Sequence, residues 1–420
     1  MVSNLQQISN KIKVALILPS EGLPIPAVLG GAIESLVSSL VDKNEENKQL
    51  ELVIISRYDN SIAKINKEYY NSKLYYYREF IRIPAIIKSK LYGAYVLIKR
   101  YVPHFPIVNI GYYRFASNIV LREKADYVVA EGGNYLCFEK LSRILGKEKM
   151  VIHIHHHLIG TAQLKKIFGK SISVSSFVKR EWIRDDISVD TNNVVLKNCI
   201  THTNFRNTIS SKELLSLRSE LGYSDDDFII LFCGRIIPEK GVKELIQAVL
   251  NINNKRLKLL IVGSANFGKS QKQTRYERDV LHLIQKDVTR IKHIGYISSD
   301  TLYRYYHLSN ALVVPTLCEE AAGLVSIEGQ LAKLPIIITK SGGLVEYTPD
   351  NGAIIINKGE NIVQNLEDAI TYVLENNLSE RVDKSYEYVV KLNPETYYEE
   401  FVSIIMTWYL HNIQEKWRKI

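Results

Sequence analysis

Cysteine is scarce in this 420-residue chain, and the cysteines present form no CxxC pair. That spacing excludes a disulfide framework and a thiolate zinc site, and it fits a reducing cytosol. Long apolar runs are missing too, since the first one, residues 12–19, is too short to cross a membrane and no small-residue cleavage pattern follows it. The composition, 46% hydrophobic and 24% charged, excludes disordered, collagenous and fibrous chains, and the length allows two or three domains.

Acidic residues are scarce in one particular segment. Between Lys64 and Lys124 twelve basic residues face three acidic ones, so this segment accounts for the formal net charge of +9. Ten tyrosines lie in the same stretch. Basic residues interleaved with amphipathic rings suit an anionic membrane surface, or single-stranded nucleic acid, whose bases stack on tyrosine. The third interpretation is a solvated basic face whose tyrosines pack inward.

Apolar runs alternate with helical patterns along most of the chain. Runs such as residues 12–18 and 228–233 are apolar at successive positions, as parallel strands covered by helices on both faces require. Two such halves predict an α/β protein with two doubly wound, Rossmann-like domains facing each other across a cleft, joined near residues 198–227. The predicted strands are 12–18, 52–55, 127–130, 150–154, 228–233, 257–262, 290–294, 311–314 and 336–338, and the predicted helices are 31–40, 136–145, 177–184, 242–250, 276–284, 299–306 and 325–332.

The last segment, residues 395–420, places large apolar side chains at helical spacing. Such a stripe is typical of a helix packed on a core. Its members are Phe401, Ile404, Ile405, Trp408, Tyr409 and Trp417.

Two loops at predicted strand ends carry groups suited to a phosphorylated ligand. The first follows Cys233 and contains Arg235, Pro238, Lys240 and Gly241. Two cations at a turn before a helix N-terminus suit a diphosphate, and glycine allows close backbone approach.

The second loop follows the strand that ends at Val314. Glu320 falls on the loop, and Glu328, eight positions later, falls within the next helix. A loop carboxylate can accept hydrogen bonds from sugar hydroxyls, and one on the helix can hold a ribose diol. The amides of Gly323, Leu324 and Val325 begin the helix, where unpaired N–H groups attract a phosphate.

Together these motifs resemble the signature of family 4 glycosyltransferases, which have the two-domain GT-B fold. Arg235 and Lys240 are followed at the family's spacing by Glu320 and Glu328. The run 30–34 (Gly-Gly-Ala-Ile-Glu) resembles the family's glycine-rich first loop, and 342–346 (Gly-Gly-Leu-Val-Glu) resembles its later Gly-Gly-x-x-Glu. The resemblance is strong over residues 228–346 and weak over 58–126.

The resemblance implies roles for these residues. Arg235 and Lys240 would neutralise the donor diphosphate, Glu320 would contact the donor sugar, and Glu328 would contact the ribose. The nucleobase would bind at the backbone of the loop that contains Tyr296 and Ile297. Two further groups of residues would contact the donor through their backbone, namely Gly30 and Gly31 in the first domain, and Gly323, Leu324 and Val325 in the second.

The resemblance also implies an acceptor-binding domain at 1–200, a donor-binding domain at 201–395 and a helix at 396–420 that crosses back to the first domain. The family retains anomeric configuration and needs no metal for the chemical step. One departure is Ala321-Ala322, where the family usually has Pro or Gly and then Phe. Smaller side chains there reshape the sugar pocket, so the identity of the donor sugar is not inherited.

A histidine-rich run, residues 151–157, offers a different chemistry. His153, His155 and His157 would alternate on one face of a strand and could chelate a metal. No carboxylate or cysteine at ligand spacing completes such a site, so no metal is expected. Structural, hydrogen-bonded histidines are one alternative. The resemblance gives another, because it implies that His155, with His156 as the close alternative, contacts the donor sugar and the leaving phosphate.

These observations lead to the prediction of a retaining, metal-independent glycosyltransferase that uses a nucleotide-sugar donor, with UDP-sugars favoured and no cofactor. Its acceptor would be lipid-linked or a polysaccharide of the bacterial cell surface, and residues 64–124 would then face an anionic membrane, with no nucleic acid bound. We expect a cytoplasmic protein, peripheral at the inner membrane face if that surface forms. Two alternatives stay open: a GT-B nucleotide-sugar 2-epimerase, and a non-catalytic protein that binds sugar nucleotides or nucleic acid.

Overall fold

The computed structural model describes residues 11–65, 68–78, 110–184, 192–200, 205, 209–265 and 273–418. Contacts within the chain divide it into two compact units. The first unit comprises residues 1–173, 179–196 and 397–420, and the second comprises 174–178 and 197–396. The predicted boundaries lie at residues 200 and 395. The observed division differs from them chiefly because residues 174–178 belong to the second unit.

The first unit is built on a parallel sheet with the strand order β3-β2-β1-β4-β5-β6-β7. The change of direction between β1 and β4 places the loops after these two strands side by side at the carboxyl edge. The strands are β1 (Ile12–Ile17), β2 (Leu50–Arg57), β3 (Ser72–Tyr77), β4 (Tyr127–Ala130), β5 (Met150–Ile154), β6 (Lys170–Ser173) and β7 (Asn193–Val195).

The second unit repeats the plan with a parallel sheet in the order β10-β9-β8-β11-β12-β13. Here the loops after β8 and β11 are neighbours at the switch point. The strands are β8 (Phe228–Cys233), β9 (Leu257–Val262), β10 (Ile291–His293), β11 (Ala311–Val314), β12 (Ile336–Thr339) and β13 (Ile354–Ile356).

Helices connect the strands, and the last of them ends the described chain. They are α1 (Ala32–Asn47), α2 (Ile110–Glu123), α3 (Glu139–Leu145), α4 (Ala162–Ile167), α5 (Ser176–Ile183), α6 (Ser211–Glu220), α7 (Val242–Asn251), α8 (Arg275–Ile284), α9 (Ser299–Leu308), α10 (Leu324–Leu331), α11 (Ile362–Glu375), α12 (Ser379–Val389) and α13 (Pro394–Arg418). No helix in the described ranges is long and apolar enough to cross a lipid bilayer.

The core of the second unit explains why its strands are apolar at successive positions. Ile230 and Phe232 of β8 pack into one hydrophobic cluster, while Ile229 and Leu231 pack into another. Because side chains alternate between the faces of a strand, both faces of this sheet are covered. The continuous apolar runs in the sequence therefore correspond to doubly buried strands.

Helix α13 packs on the first unit through the apolar stripe expected from the sequence. Phe401 and Ile405 are fully buried, and Trp408 is 3% exposed, with its ring 6.3 Å from that of Tyr127. The Tyr398 hydroxyl donates to Oδ1 of Asn44 at 2.9 Å, and the backbone N–H of Gln49 donates to the Tyr398 oxygen. The core-packing interpretation of these residues is confirmed. The side chain of Trp417 lies outside the described part.

Much of the basic, tyrosine-rich segment also lies outside the described residues, namely 66–67 and 79–109. Within the described part, Tyr112 and Tyr113 are buried in the core and Tyr70 is 83% exposed. Lys73 pairs with Glu123 at 2.8 Å. Some of these tyrosines thus pack inward, and the membrane and nucleic-acid interpretations of the segment stay predictions.

Replacing Tyr398 with Phe tests the attachment of α13 to the first unit. The substitution keeps the buried ring but removes the hydroxyl that Asn44 and Gln49 share, and we expect the free energy of unfolding to fall by about 1–2 kcal/mol. Urea denaturation of Y398F and of the control Y372F, which removes the hydroxyl of a residue that is 41% exposed, measures the difference. Equal stability of Y398F and the wild type would contradict the described packing.

Candidate functional site

The loop between β8 and α7 is held against the loop after β11. A 3₁₀ turn spans Pro238–Lys240 and ends at Gly241, which has φ 68° and ψ 26°. A Cβ at Gly241 would lie 2.0 Å from the carbonyl oxygen of Pro315, so only glycine fits both the left-handed backbone and the close approach. The N–H of Leu317 donates to the carbonyl of Glu239 at 2.8 Å and ties the two loops together.

This contact brings together two of the residues predicted from the sequence. The Lys240 ammonium group pairs directly with Oε1 of Glu320, although the two residues are 80 positions apart. The Thr316 hydroxyl lies 2.8 Å from the same Oε1 and 3.0 Å from the carbonyl oxygen of Glu239. Both charged side chains keep about a fifth of their surface exposed, so solvent or a ligand can reach the pair.

The Gly-Gly loop after β12 supports the backbone around Glu320. The N–H of Gly343 donates to the carbonyl of Glu320 at 2.7 Å, and the Ser341 hydroxyl bonds the carbonyl of Cys318. Glu346, at the end of the same motif, accepts the backbone N–H groups of Ser176 and Phe177, each at 2.7 Å. The motif therefore positions loops through hydrogen bonds.

Glu328 is not paired with Glu320. It lies in α10, and its Oε2 accepts a hydrogen bond from the fully buried Tyr306 hydroxyl at 2.5 Å. Burial raises the pKa of Glu328 to about 7, although the Tyr306 hydrogen bond acts to lower it.

Three helices that follow switch-point strands begin at a glycine. Gly31, Gly241 and Gly323 precede α1, α7 and α10, and none of them offers a side-chain cap within the described structure. By contrast, Ser210 and Thr274 cap α6 and α8 with their hydroxyl oxygens. The first-turn amides of an α-helix have no carbonyl partner within the helix, so these three N-termini can bind an anion.

The other predicted donor-binding residues of the second unit lie on strand-end loops or on the first turn of α10. Arg235 is exposed directly after β8, and Leu324 and Val325 open α10. Tyr296 is 49% exposed after β10, and Ile297 packs partly against the core. No described contact joins Tyr296 to the Lys240–Glu320 pair.

In the first unit, Gly30 and Gly31 lie in the loop between β1 and α1, as predicted. Gly31 has φ 98°, and a Cβ there would lie 2.2 Å from Oε2 of Glu34. The buried Glu34 carboxylate accepts the N–H of Leu23 at 2.8 Å. The glutamate of the Gly-Gly-Ala-Ile-Glu run thus holds the loop from within its own unit.

The expectation that no carboxylate accompanies the histidine run is wrong. Glu131 directly follows β4, the neighbour of β5, and its Oε2 lies 2.9 Å from Nδ1 of His153 and 2.8 Å from Nε2 of His155. Glu131 follows another strand and lies 24 positions before His155, so a search of the sequence for carboxylates at metal-ligand spacing does not find it. His156 is separate, and its ring stacks on Tyr135.

Glu131, His153 and His155 present nitrogen and oxygen atoms within 4.8 Å of one another. Two imidazoles and a carboxylate are donors that zinc accepts. The contact between Nε2 of His155 and Oε2 of Glu131 is a hydrogen bond, whereas neither ring nitrogen of the buried His153 has a hydrogen-bond partner within the described part of the chain. The prediction of a metal-free protein stays a prediction.

Comparison with known proteins adds to this geometry. Residues 216–390 match the family Glycosyl transferases group 1. Among curated relatives, the lipopolysaccharide 1,2-N-acetylglucosaminetransferase of Salmonella typhimurium is 27% identical over 204 residues, which are 48% of this chain and 51% of that protein. The chain spans about half the length, or less, of the curated relatives it matches.

Solved structures extend the likeness to the whole fold. A glycosyltransferase from Rickettsia africae superposes with a TM-score of 0.72 at 18% identity, covering 95% of this chain and 99% of that one. Anabaena HepE in complex with UDP gives 0.68 at 15% identity, covering 94% and 100%. The predicted fold class is confirmed, with two Rossmann-like parallel-sheet domains of the GT-B glycosyltransferase type and a C-terminal helix packed on the first.

The pKa of Glu328 yields a test of the described burial. Between its ordinary pKa near 4.5 and its folded value near 7, the folded state holds a proton that the unfolded state has lost. The wild type should therefore lose stability relative to E328Q as pH rises from 4.5 to 7, by up to about 3 kcal/mol. Urea denaturation of both proteins at several pH values measures this difference, and parallel pH profiles would contradict the raised pKa of Glu328.

Proposed function

We propose that this protein is a retaining glycosyltransferase of family 4 that moves a sugar from a nucleotide-diphosphate donor, with UDP-sugars favoured, to an acceptor hydroxyl. The observation that carries the proposal is the Lys240–Glu320 pair beside the uncapped N-terminus of α10. A cation and a helix N-terminus suit a diphosphate, and a partly exposed carboxylate next to them suits the hydroxyls of the attached sugar.

Each group has a role in this proposal. Lys240 and Arg235 neutralise the diphosphate as it leaves, and the amides of Leu324 and Val325 bind its oxygens. Glu320 binds the sugar hydroxyls, and Glu328 binds the ribose through Oε1. When the bond from the anomeric carbon to the phosphate oxygen breaks, the acceptor oxygen attacks on the same face and the leaving phosphate takes its proton. The two cations supply the charge stabilisation, so the step needs no metal.

The proposed classes of donor and acceptor are supported by the names of similar proteins as well as by the residues of this chain. HepE binds UDP in its solved complex, and the Salmonella relative is named for N-acetylglucosamine transfer in lipopolysaccharide. These names support a UDP-sugar donor and a lipid-linked or polysaccharide acceptor for this chain. The basic segment 64–124 would meet the anionic membrane that carries such an acceptor. Gly30, Gly31 and His155 remain predicted donor contacts, because their roles rest on the resemblance.

Replacing Glu320 with Gln tests the proposal, and the chain supplies a matched control. Glu319, one residue earlier, pairs with Lys358 at 2.6 Å and is 42% exposed. A panel of UDP-, GDP- and dTDP-sugars, presented without added metal, first identifies the donor by slow release of its nucleoside diphosphate. With that donor, E320Q should lower turnover on the order of 100-fold while E319Q stays near the wild-type rate.

Three results would contradict the proposal. Full activity of E320Q would show that Glu320 does not contribute to turnover. Silence of the wild type across the donor panel would favour a binding protein, and release of an epimerised free sugar would favour a 2-epimerase.

A further inference from the structure

Three side chains at the ends of β4 and β5 lie together in the first sheet. The two strands are parallel neighbours with Ala130 opposite Ile152, so the next residues along, Glu131 and His153, come side by side. His155 follows two positions after His153 and returns to the same face, because side chains alternate along a strand. The strand order therefore brings one carboxylate and two imidazole rings into a single cluster.

The contact between Glu131 and His153 is close but is not a hydrogen bond. Nδ1 of His153 lies 2.9 Å from Oε2 of Glu131, and the His153 side chain is 1% exposed. Even so, neither ring nitrogen of His153 has a hydrogen-bond partner among the described residues. The oxygen therefore lies beside the direction in which Nδ1 would donate. A buried ring with both nitrogens unpaired is costly, and an ion bound at Nδ1 would remove part of that cost.

The donor atoms of the cluster have the spacing of a metal site. Oε2 of Glu131 lies 2.9 Å from Nδ1 of His153 and 2.8 Å from Nε2 of His155, and all three groups present donor atoms within 4.8 Å of one another. Ligand atoms at about 2.0–2.2 Å from a metal ion lie about 3 Å apart. Ligand atoms also point at the ion and not at each other, which is the relation between Glu131 and His153.

The chemistry and the charge of the cluster suit a divalent transition-metal ion. Two imidazoles and one carboxylate form the donor set of some zinc sites and of non-haem iron(II) sites. The Glu131 side chain is 2% exposed, and no lysine or arginine pairs with it in the described ranges. A buried carboxylate is stabilised by a cation that it contacts directly, and a divalent ion supplies that charge.

We propose that the first unit binds one divalent transition-metal ion through Nδ1 of His153, Nε2 of His155 and a carboxylate oxygen of Glu131. The ion joins the end of β4 to the end of β5, and the proposed transfer step assigns it no part. This site contradicts the expectation that no metal binds, which rested on the lack of a carboxylate at ligand spacing in the sequence. The inference does not rest on the proposed glycosyltransferase function.

Zinc binding to the full-length protein tests the site. After removal of metal with a chelator, calorimetric titration with Zn²⁺ alone should show a single ion bound per chain. H153N and E131A should each weaken this binding on the order of 100-fold, since even the loss of a residue that only supports a metal ligand costs about 10- to 100-fold. Mg²⁺ prefers oxygen ligands and should not compete.

The matched control is H157N, which removes a histidine of the same run. His157 is 39% exposed, and its Nε2 lies 3.2 Å from Oε2 of Glu181 and not beside Glu131. H157N should therefore bind Zn²⁺ like the wild type. This control separates the buried cluster from adventitious binding by exposed histidines.

A second measurement uses the wild type only and so does not depend on the folding of a variant with a substituted core. Nitrogen NMR of the full-length protein labelled with ¹⁵N-histidine reports which ring nitrogens bind the ion. Added Zn²⁺ should shift Nδ1 of one histidine and Nε2 of another. These two different nitrogens are the signature of the geometry at His153 and His155.

Several outcomes would overturn the inference. They are the absence of saturable Zn²⁺ binding by the wild type, equal affinity of the wild type, H153N and E131A, and loss of binding in H157N. Coordination of both histidines through Nε2 would contradict the assignment of Nδ1 of His153. Neither readout involves sugar transfer, so failure of the proposed function and failure of the metal site are distinguishable.

Discussion

The close approach of two loops at the centre of the second sheet positions the charged groups of the candidate site. Gly241 lies against the carbonyl of Pro315 at a distance that admits no Cβ, and the N–H of Leu317 bonds the carbonyl of Glu239. Because β8 and β11 are parallel neighbours, their loops meet at one edge, and the pairing of Lys240 with Glu320 follows from that geometry. A wider separation of these loops would leave an isolated cation and an isolated carboxylate.

The pair also explains how such a site can be stable without a ligand. Lys240 and Glu320 neutralise each other while they remain partly exposed, so neither charge is buried alone. A diphosphate offers the ammonium group a stronger partner and releases the carboxylate toward hydroxyl groups. The glycine at the start of α10 keeps the helix amides available to the same ligand, since a capping side chain would compete for them.

The sequence predicted the second unit better than the first because its signals are local. The strands at 228–233, 257–262 and 311–314 are continuous apolar runs, and their predicted bounds coincide with the observed ones. Contacts from other strands or helices are invisible to spacing, so Tyr306 and Glu131 were not recognised as partners of Glu328 and His155. The position of Glu131 directly after a predicted strand was the one signal that could have found it. Polar strands such as β3 and β6 were missed because they lack a continuous apolar run.

The measurement that tests the diphosphate site most directly is UDP binding by isothermal titration calorimetry to the wild type, K240M and K243M. Lys243 lies one turn further along, in α7, and pairs with Asp279 at 2.9 Å, so its replacement changes the net charge equally without touching the strand-end loops. K240M should weaken UDP binding about 10- to 100-fold, as the loss of a charge-assisted hydrogen bond predicts, and K243M should bind like the wild type. Equal affinity of K240M and the wild type would contradict the account.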